Sequence, residues 1–227
     1  MDTPSSRTSH RRQAIPDIDS GITHLQVDHP QSPAFHEIVL DALPTTDHAY
    51  WVDSRNVAST YRLYERAHSE ATLSGLQIAR AFTAYQHFSL CRRLVARTTS
   101  STGLLCLPNI TSLYRDDDVP THERDALLDA VLTGLKGLAE TYDVAVLVST
   151  APTDELADRV ATVADRELTA ETTPFGCLFE GDDFETRAYP VQGGWQTTIP
   201  YWVELFGAVS DTTLVEAASE MEFAGVA

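Results

Sequence analysis

The sequence predicts an α/β domain: a mostly parallel sheet flanked by helices, with antiparallel strands toward the C-terminal side. Three observations carry that prediction. The short runs at 103–107 and 144–148 are apolar at nearly every position, the mark of strands covered on both faces rather than on one. Amphipathic stretches alternate with them, and that order builds parallel sheets through crossover helices. Past residue 163 the segments shorten and are punctuated by Pro174, by Gly181-Asp182-Asp183 and by Pro190, as hairpins are.

Each element follows from its own pattern. Ile22-Thr23-His24-Leu25-Gln26-Val27 alternates between Gly21 and Pro30 and predicts the first strand, and residues 36–43 place Ile38, Val39, Ala42 and Leu43 at helical spacing. Residues 48–53 predict a second strand, followed by a helix with Tyr61, Leu63, Tyr64 and Ala67. Residues 75–81 predict a third strand. The helix over 85–96 turns Phe88, Leu90, Cys91, Leu94 and Val95 inward. After the 103–107 strand come a long amphipathic helix over 123–140, the 144–148 strand and a helix over 156–163. Residues 167–171, 176–180 and 184–189 predict antiparallel strands appended to the parallel core. The aromatic stretch 195–206, interrupted by Pro200, closes an edge of that core. Residues 1–20 are polar, contain Arg7, Arg11 and Arg12, and are broken by Pro4 and Pro16, so they predict a disordered tail. One domain over 21–207 is therefore expected, with 208–227 as an acidic tail or helix.

Bulk composition narrows the setting. The 227 residues suffice for one sizeable core. Asp and Glu number 33 against 16 Lys and Arg, for a net charge of −17, and Lys136 is the single lysine. Such an acidic, lysine-poor surface fits a protein kept hydrated in a salt-rich cytoplasm. Cys91, Cys106 and Cys177 have neither disulfide-framework nor zinc-site spacing and read as buried thiols. No apolar run approaches a bilayer span, and no signal-peptide core precedes residue 20, so a cytoplasmic protein with no membrane contact is expected. His24, His29, His36 and His48 lack metal-ligand spacing and are expected at the surface or half-buried. Tyr50, Trp51, Tyr61, Tyr64, Trp195, Tyr201 and Trp202 are expected in the core and at its edges. No Gly-x-Ser-x-Gly elbow occurs.

Ile78-Ala79-Arg80-Ala81-Phe82 and the run Leu104-Leu105-Cys106-Leu107-Pro108-Asn109-Ile110-Thr111-Ser112-Leu113-Tyr114-Arg115, in the order of elements from Ile22 to Val148, resemble the ATPase core of the RecA/RadA/Rad51 recombinases. The resemblance implies a RecA-like P-loop NTPase fold. In that family the first strand runs into a Gly-rich loop whose amides, lysine and hydroxyl hold phosphates and magnesium. Here the loop is Asp28-His29-Pro30-Gln31-Ser32-Pro33-Ala34-Phe35. Asp28 and Pro33 stand at the glycine positions, Ala34 at the lysine and Phe35 at the hydroxyl residue. Asp53-Ser54-Arg55-Asn56 replaces the acidic motif after the second strand, with Arg55 at the glutamate that orients water. Pro108, followed by Asn109, takes the magnesium-holding aspartate position. Ser149-Thr150-Ala151-Pro152 stands where the family carries its γ-phosphate sensor.

Without these groups the resemblance implies no catalytic residue, no bound cofactor and no metal. The loops matching the recombinases' DNA-binding loops begin Arg115-Asp116-Asp117-Asp118 and Thr150-Ala151-Pro152-Thr153-Asp154-Glu155, a composition that makes direct DNA binding unfavourable. No phenylalanine precedes Phe35, so the phenylalanine-anchored polymerisation motif is absent from that stretch. The expectation is a non-catalytic RecA-fold protein that binds another RecA-fold protein or a different protein partner, as an accessory or regulatory subunit in DNA recombination or repair. Two alternatives stay open. One is a divergent nucleotide-binding protein using Asp28, Asp53 and Arg55; the other is a scaffold in a non-recombination process.

Overall fold

The computed structural model describes residues 15–67, 69–151, 153–174, 176–181, 184–191 and 194–197. The elements are β1 (Gly21–Val27), α1 (Ala34–Ala42), β2 (His48–Ser54), α2 (Thr60–Arg66), α3 (Glu70–Leu73), β3 (Leu76–Ala81), α4 (Ala84–Arg97), β4 (Thr102–Leu107), α5 (Thr121–Tyr142), β5 (Ala145–Thr150), α6 (Glu155–Val163), β6 (Arg166–Thr173), β7 (Gly176–Gly181), β8 (Phe184–Val191) and β9 (Gly194–Thr197). Short 3-10 turns cover Leu43–Thr45 and Ser112–Arg115. They form one nine-stranded sheet in the order β3-β2-β4-β5-β1-β6-β7-β8-β9. Pairing is parallel from β3 through to β6, and antiparallel between β6, β7, β8 and β9.

Strand β6 joins the two parts of the sheet. As expected for residues 167–171 it pairs antiparallel with β7, and its other edge runs parallel to β1, with Thr23 opposite Arg166 and Val27 opposite Ala170. Helix α6 crosses over the sheet before β6, which returns the chain in the direction of β1. Hairpin pairing starts at β6 itself, whose other edge pairs antiparallel with β7. Of the expected aromatic edge at 195–206, residues 195–197 lie in β9, and those from 198 on fall outside the described residues.

The sheet is covered on both faces because its central strands are apolar on both. All six residues of β5 are buried, and Leu104, Leu105, Cys106 and Leu107 of β4 are at most 1% exposed. On one face Leu105, Leu107, Val146 and Val148 pack against Cys91 and Leu94 of α4, Leu128, Val131, Leu132 and Leu135 of α5, and Leu156 and Val160 of α6. On the other, Leu25, Trp51, Leu104 and Leu147 pack against Phe35, Ile38 and Val39 of α1 and Leu63 of α2. Each fully buried Leu, Val or Phe contributes about 1.5–3 kcal/mol relative to exposure. The chain enters this core ahead of β1, since Ile15 is buried and Ile18 packs against the same cluster. Among the described residues no helix is long and apolar enough to cross a membrane.

Local chemistry sets the helix ends. Ser59, Thr83 and Asp154 each accept a hydrogen bond from the backbone three residues on, capping α2, α4 and α6. At α4 the Gln86 side chain also accepts from the Phe82 amide, so Thr83-x-x-Gln86 closes the helix start from both sides. Helix α5 ends where Asp143 turns left-handed, at φ 55°.

Three groups of side chains lie where they were not expected. Tyr61 and Tyr64 are 73% and 61% exposed, because the seven-residue α2 buries only the stripe through Leu63 and both tyrosines project off it. Val95 is exposed, one helical step round from the inward Leu94, while Phe88 and Leu90 are partly buried. His24 and His36 are buried rather than at the surface, each carried inward by an apolar element, whereas His29 and His48 are exposed. All three cysteines are buried.

Candidate functional site: the closed crevice and the open edge

The eight residues singled out in the sequence lie at or beside the C-terminal ends of β1, β2 and β4, where a parallel sheet ordinarily opens a ligand crevice. The loop after β1 forms no anion cradle. Pro30 and Pro33 have no amide hydrogen, and the neighbouring amides are used inside the protein. That of Asp28 donates to the Ala170 carbonyl, that of Gln31 to His29 Nδ1, that of Ser32 to the His29 carbonyl and that of Ala34 to Ser32 Oγ, at 2.8–3.4 Å. A phosphate loop needs such amides convergent and unoccupied.

Asp28 faces sideways toward β6. Its carboxylate accepts from the Thr172 amide at 2.9 Å and from the Thr172 hydroxyl at 3.1 Å, and Ser32 Oγ shares a further hydrogen bond with Thr172 at 3.0 Å. Pro33 occupies the N-cap position of α1, and Ala34 begins the helix fully buried. Phe35 points into the core, edge-on to Trp51 with ring centroids 5.2 Å apart, so nothing from that position reaches the crevice.

Asp53 is fully buried at the end of β2. One of its oxygens accepts from the amides of Val57 and Ala58 at 2.9 and 3.0 Å; the other faces Arg80 Nε at 3.3 Å. Burial pushes its pKa up, opposed by those hydrogen bonds and by Arg80. Between them Arg55 and Asn56 adopt left-handed backbone, at φ 63° and 58°, and the Asp53 carboxylate holds that turn. Arg55 reaches across the mouth of the crevice to form an ion pair with Asp116, and it donates to the Ser112 carbonyl at 3.3 Å.

Pro108 and Asn109 follow β4. Asn109 is buried and left-handed, at φ 48°. Its side-chain amide donates to the Pro30 carbonyl at 2.8 Å, and its backbone amide donates to Ser149 Oγ at 3.0 Å. One residue thus ties the loop after β1, through its side chain, and the end of β5, through its backbone amide, to the end of β4. Thr150, beside Ser149, shares a 2.8 Å hydrogen bond with His24 Nε2 and faces the protein interior.

Several anchoring contacts have no signal in the local sequence. Arg115 pairs through two nitrogens with Asp154, each at 2.7 Å, which lowers the Asp154 pKa and fastens the turn after β4 to the start of α6. His87 Nδ1 and the Tyr114 hydroxyl share a 2.8 Å hydrogen bond inside the core. Burial holds His87 down at about 4 and pushes Tyr114 and Cys91 up. Thr172 and Ser149 also had no local signal, since their partners are distant in sequence. Among the described residues no group of three or more His, Cys, Asp or Glu could hold a metal ion. Chemically, the crevice carboxylates Asp28, Asp53 and Asp116 are each already bound to amides, a hydroxyl or a cation.

A second feature lies at the β3 edge of the sheet, next to β2. Strand β3 is an edge, and among the described residues it pairs only with β2. Beside it a groove of about 180 Å³ is lined by Tyr50, Gln77, Ile78, Ala79, Leu90, Arg93, Leu94 and Arg97, with Arg97 donating to Gln77 Oε1 at 3.4 Å. Near the top of the same strand Phe82 is 68% exposed.

No protein-family model matches the chain, and no curated protein matches it.

Proposed function

We propose that this chain is a non-catalytic relative of the RecA/RadA-type recombinases, working in DNA recombination or repair as an accessory or regulatory subunit that binds another RecA-fold protein. The observation that carries the reading is the closure of the crevice by the chain's own groups. Asn109 holds the Pro30 carbonyl, Asp28 is turned to Thr172, and Arg55 is paired with Asp116 across the mouth. A nucleotide would have to displace all three contacts and would meet no free amide cradle, no lysine and no placed carboxylate for magnesium. The strand order is compatible with this reading, because β1, β5 and β4 bring the three substituted loops to one end of the sheet.

What remains for function is the edge. An open strand beside an apolar groove suits an extended segment of a partner, which adds main-chain hydrogen bonds to β3 and sinks one side chain into the groove. The loops after β4 and β5 stay acidic and offer no phosphate-binding surface, so the partner in this reading is a protein.

The test has two arms. Titration calorimetry with Mg-ATP should give no binding heat; saturable binding would overturn the non-catalytic reading. Capture of the tagged chain at its native salt concentration should recover a RecA-fold protein, and Ala79→Glu, which puts a carboxylate into the groove, should release it. Recovery only of proteins foreign to recombination would overturn the pathway assignment.

A further inference from the structure

The charge of this chain is unevenly distributed. Residues 53–97, spanning the end of β2, α2, α3, β3 and α4, carry seven arginines against three carboxylates, Asp53, Glu65 and Glu70. That is a local excess of four positive charges in a protein whose net charge is −17. The pairing of individual cations sharpens the contrast. Arg115, Arg124, Lys136 and Arg159, outside this module, each pair with a carboxylate, and within it Arg55, Arg66 and Arg80 do so too.

Arg62, Arg92, Arg93 and Arg97 are exposed, and among the described residues none of them has a carboxylate within ion-pair distance. In a chain with twice as many acids as bases, chance pairing would supply such arginines readily. Three of the four lie on the last two turns of α4. Arg93 and Arg97 line the groove beside β3, and Arg92 lies over the Phe88 ring at 5.9 Å.

From this we infer that the β3 edge is built for an acidic partner segment, with the α4 arginines, not the groove alone, selecting it. The inference rests on the protein-binding reading above and adds the partner's charge to it. An extended segment laid along β3 passes the guanidinium groups of Arg93 and Arg97. Carboxylates at alternate positions of such a strand project to one face, the spacing at which both arginines can be met. Charge complementarity of this kind sets specificity and association rate more than affinity. A basic segment would be rejected by like charge at the same two positions. A single-stranded nucleic acid, the other polyanion an arginine surface could take, fits less well. Phe82 at the turn into α4 is exposed, but beside it Tyr85, in the first turn of α4, donates to Glu123, and Asp118 lies close enough to help push its pKa up, so that end of the face is anionic.

The experiment uses the full chain and three fluorescent probes. These are a peptide of alternating valine and glutamate with one central phenylalanine, the same peptide with lysine in place of glutamate, and an oligothymidylate. Fluorescence anisotropy is read at low and high potassium chloride. The glutamate peptide should bind at least about tenfold more tightly than the lysine peptide, with the margin shrinking as salt rises. In the Arg93→Glu, Arg97→Glu double variant the preference should invert, and in the Arg93→Gln, Arg97→Gln variant it should vanish while weak binding through the groove persists. Both changes are at exposed positions, and a circular-dichroism melt verifies that the fold is kept. Equal binding of the two peptides would overturn the charge inference while leaving the edge as a docking site. Failure of both peptides to bind would overturn the inference together with the edge reading. Tighter binding of the oligothymidylate than of the glutamate peptide would assign the arginines to nucleic acid and overturn it as well.

Discussion

His87 shows how far one buried side chain can make stability depend on pH. It is fully buried between α4 and the turn after β4, hydrogen-bonded to the Tyr114 hydroxyl, and burial holds its pKa at about 4. In the unfolded chain the imidazole returns to its ordinary value near 6.5. Between those two values the unfolded state takes up a proton that the folded state refuses. Stability is therefore fully present above pH 6.5 and falls as pH drops through the window toward about 4. His36, also held at about 4 by burial and by the nearby Arg62, adds to the same slope. Replacing His87 by Gln keeps a partner for Tyr114 and removes the titration. Urea unfolding at a series of pH values should then show the slope between pH 6.5 and 4 reduced by up to about 1.4 kcal/mol per pH unit. An unchanged slope would mean that His87 is protonated in the folded protein.

At the scale of elements, the segments that join the strands hold the crevice shut, and Asn109 is the joint they share. Its backbone is left-handed, at φ 48°, which suits Asn or Gly and strains a residue with a bare Cβ. Its side chain separately holds the Pro30 carbonyl. Two substitutions divide these roles. Asn109→Gly keeps the backbone relaxed and loses the hydrogen bond, with an expected cost of about 1 kcal/mol. Asn109→Ala loses the bond and adds the strain, with an expected cost of about 2–3 kcal/mol. Denaturant midpoints read the difference, and equal costs would show that the left-handed turn contributes no constraint. Either variant should also loosen the loop after β1, seen as faster hydrogen exchange at Gln31 and Ser32. The elements themselves were legible in sequence. β1 to β5, and the helices between them, fall within a few residues of where apolar periodicity put them, because buried strands and amphipathic helices carry their burial in their own composition. The short α3 was missed, since a four-residue helix with no buried residue has no periodicity to read.

At the scale of the whole molecule the order of legibility reverses. The eight candidate positions could be named from sequence, yet the contacts they make could not. The groups that close the crevice meet across long separations: Asp28 with Thr172, 144 residues apart, Asn109 with Pro30, 79 apart, and Arg55 with Asp116, 61 apart. No local pattern announces such contacts; only the sheet order, which sets β6 beside β1 and β4 two strands away, brings them together. The antiparallel pairing of β6 with β7 was legible, but its parallel pairing with β1 was not, because an isolated strand does not state its second partner. Net charge, by contrast, belongs to the molecule as a whole and was readable at once. At −17 the surface repels itself in dilute buffer, and that repulsion favours expanded states. Added salt screens it over a Debye length that shortens from about 10 Å at 0.1 M to about 3 Å at 1 M. The ion pairs among the described residues, apart from Arg80–Asp53 and Arg66–Glu37 with their buried carboxylates, join exposed or half-exposed partners, where a pairing that salt also weakens contributes little. The repulsive term should therefore dominate, and the thermal midpoint should rise steadily between about 0.1 M and 2 M potassium chloride. Scanning calorimetry across that series measures it. A midpoint that stays flat or falls would mean that the paired arginines outweigh the carboxylate excess.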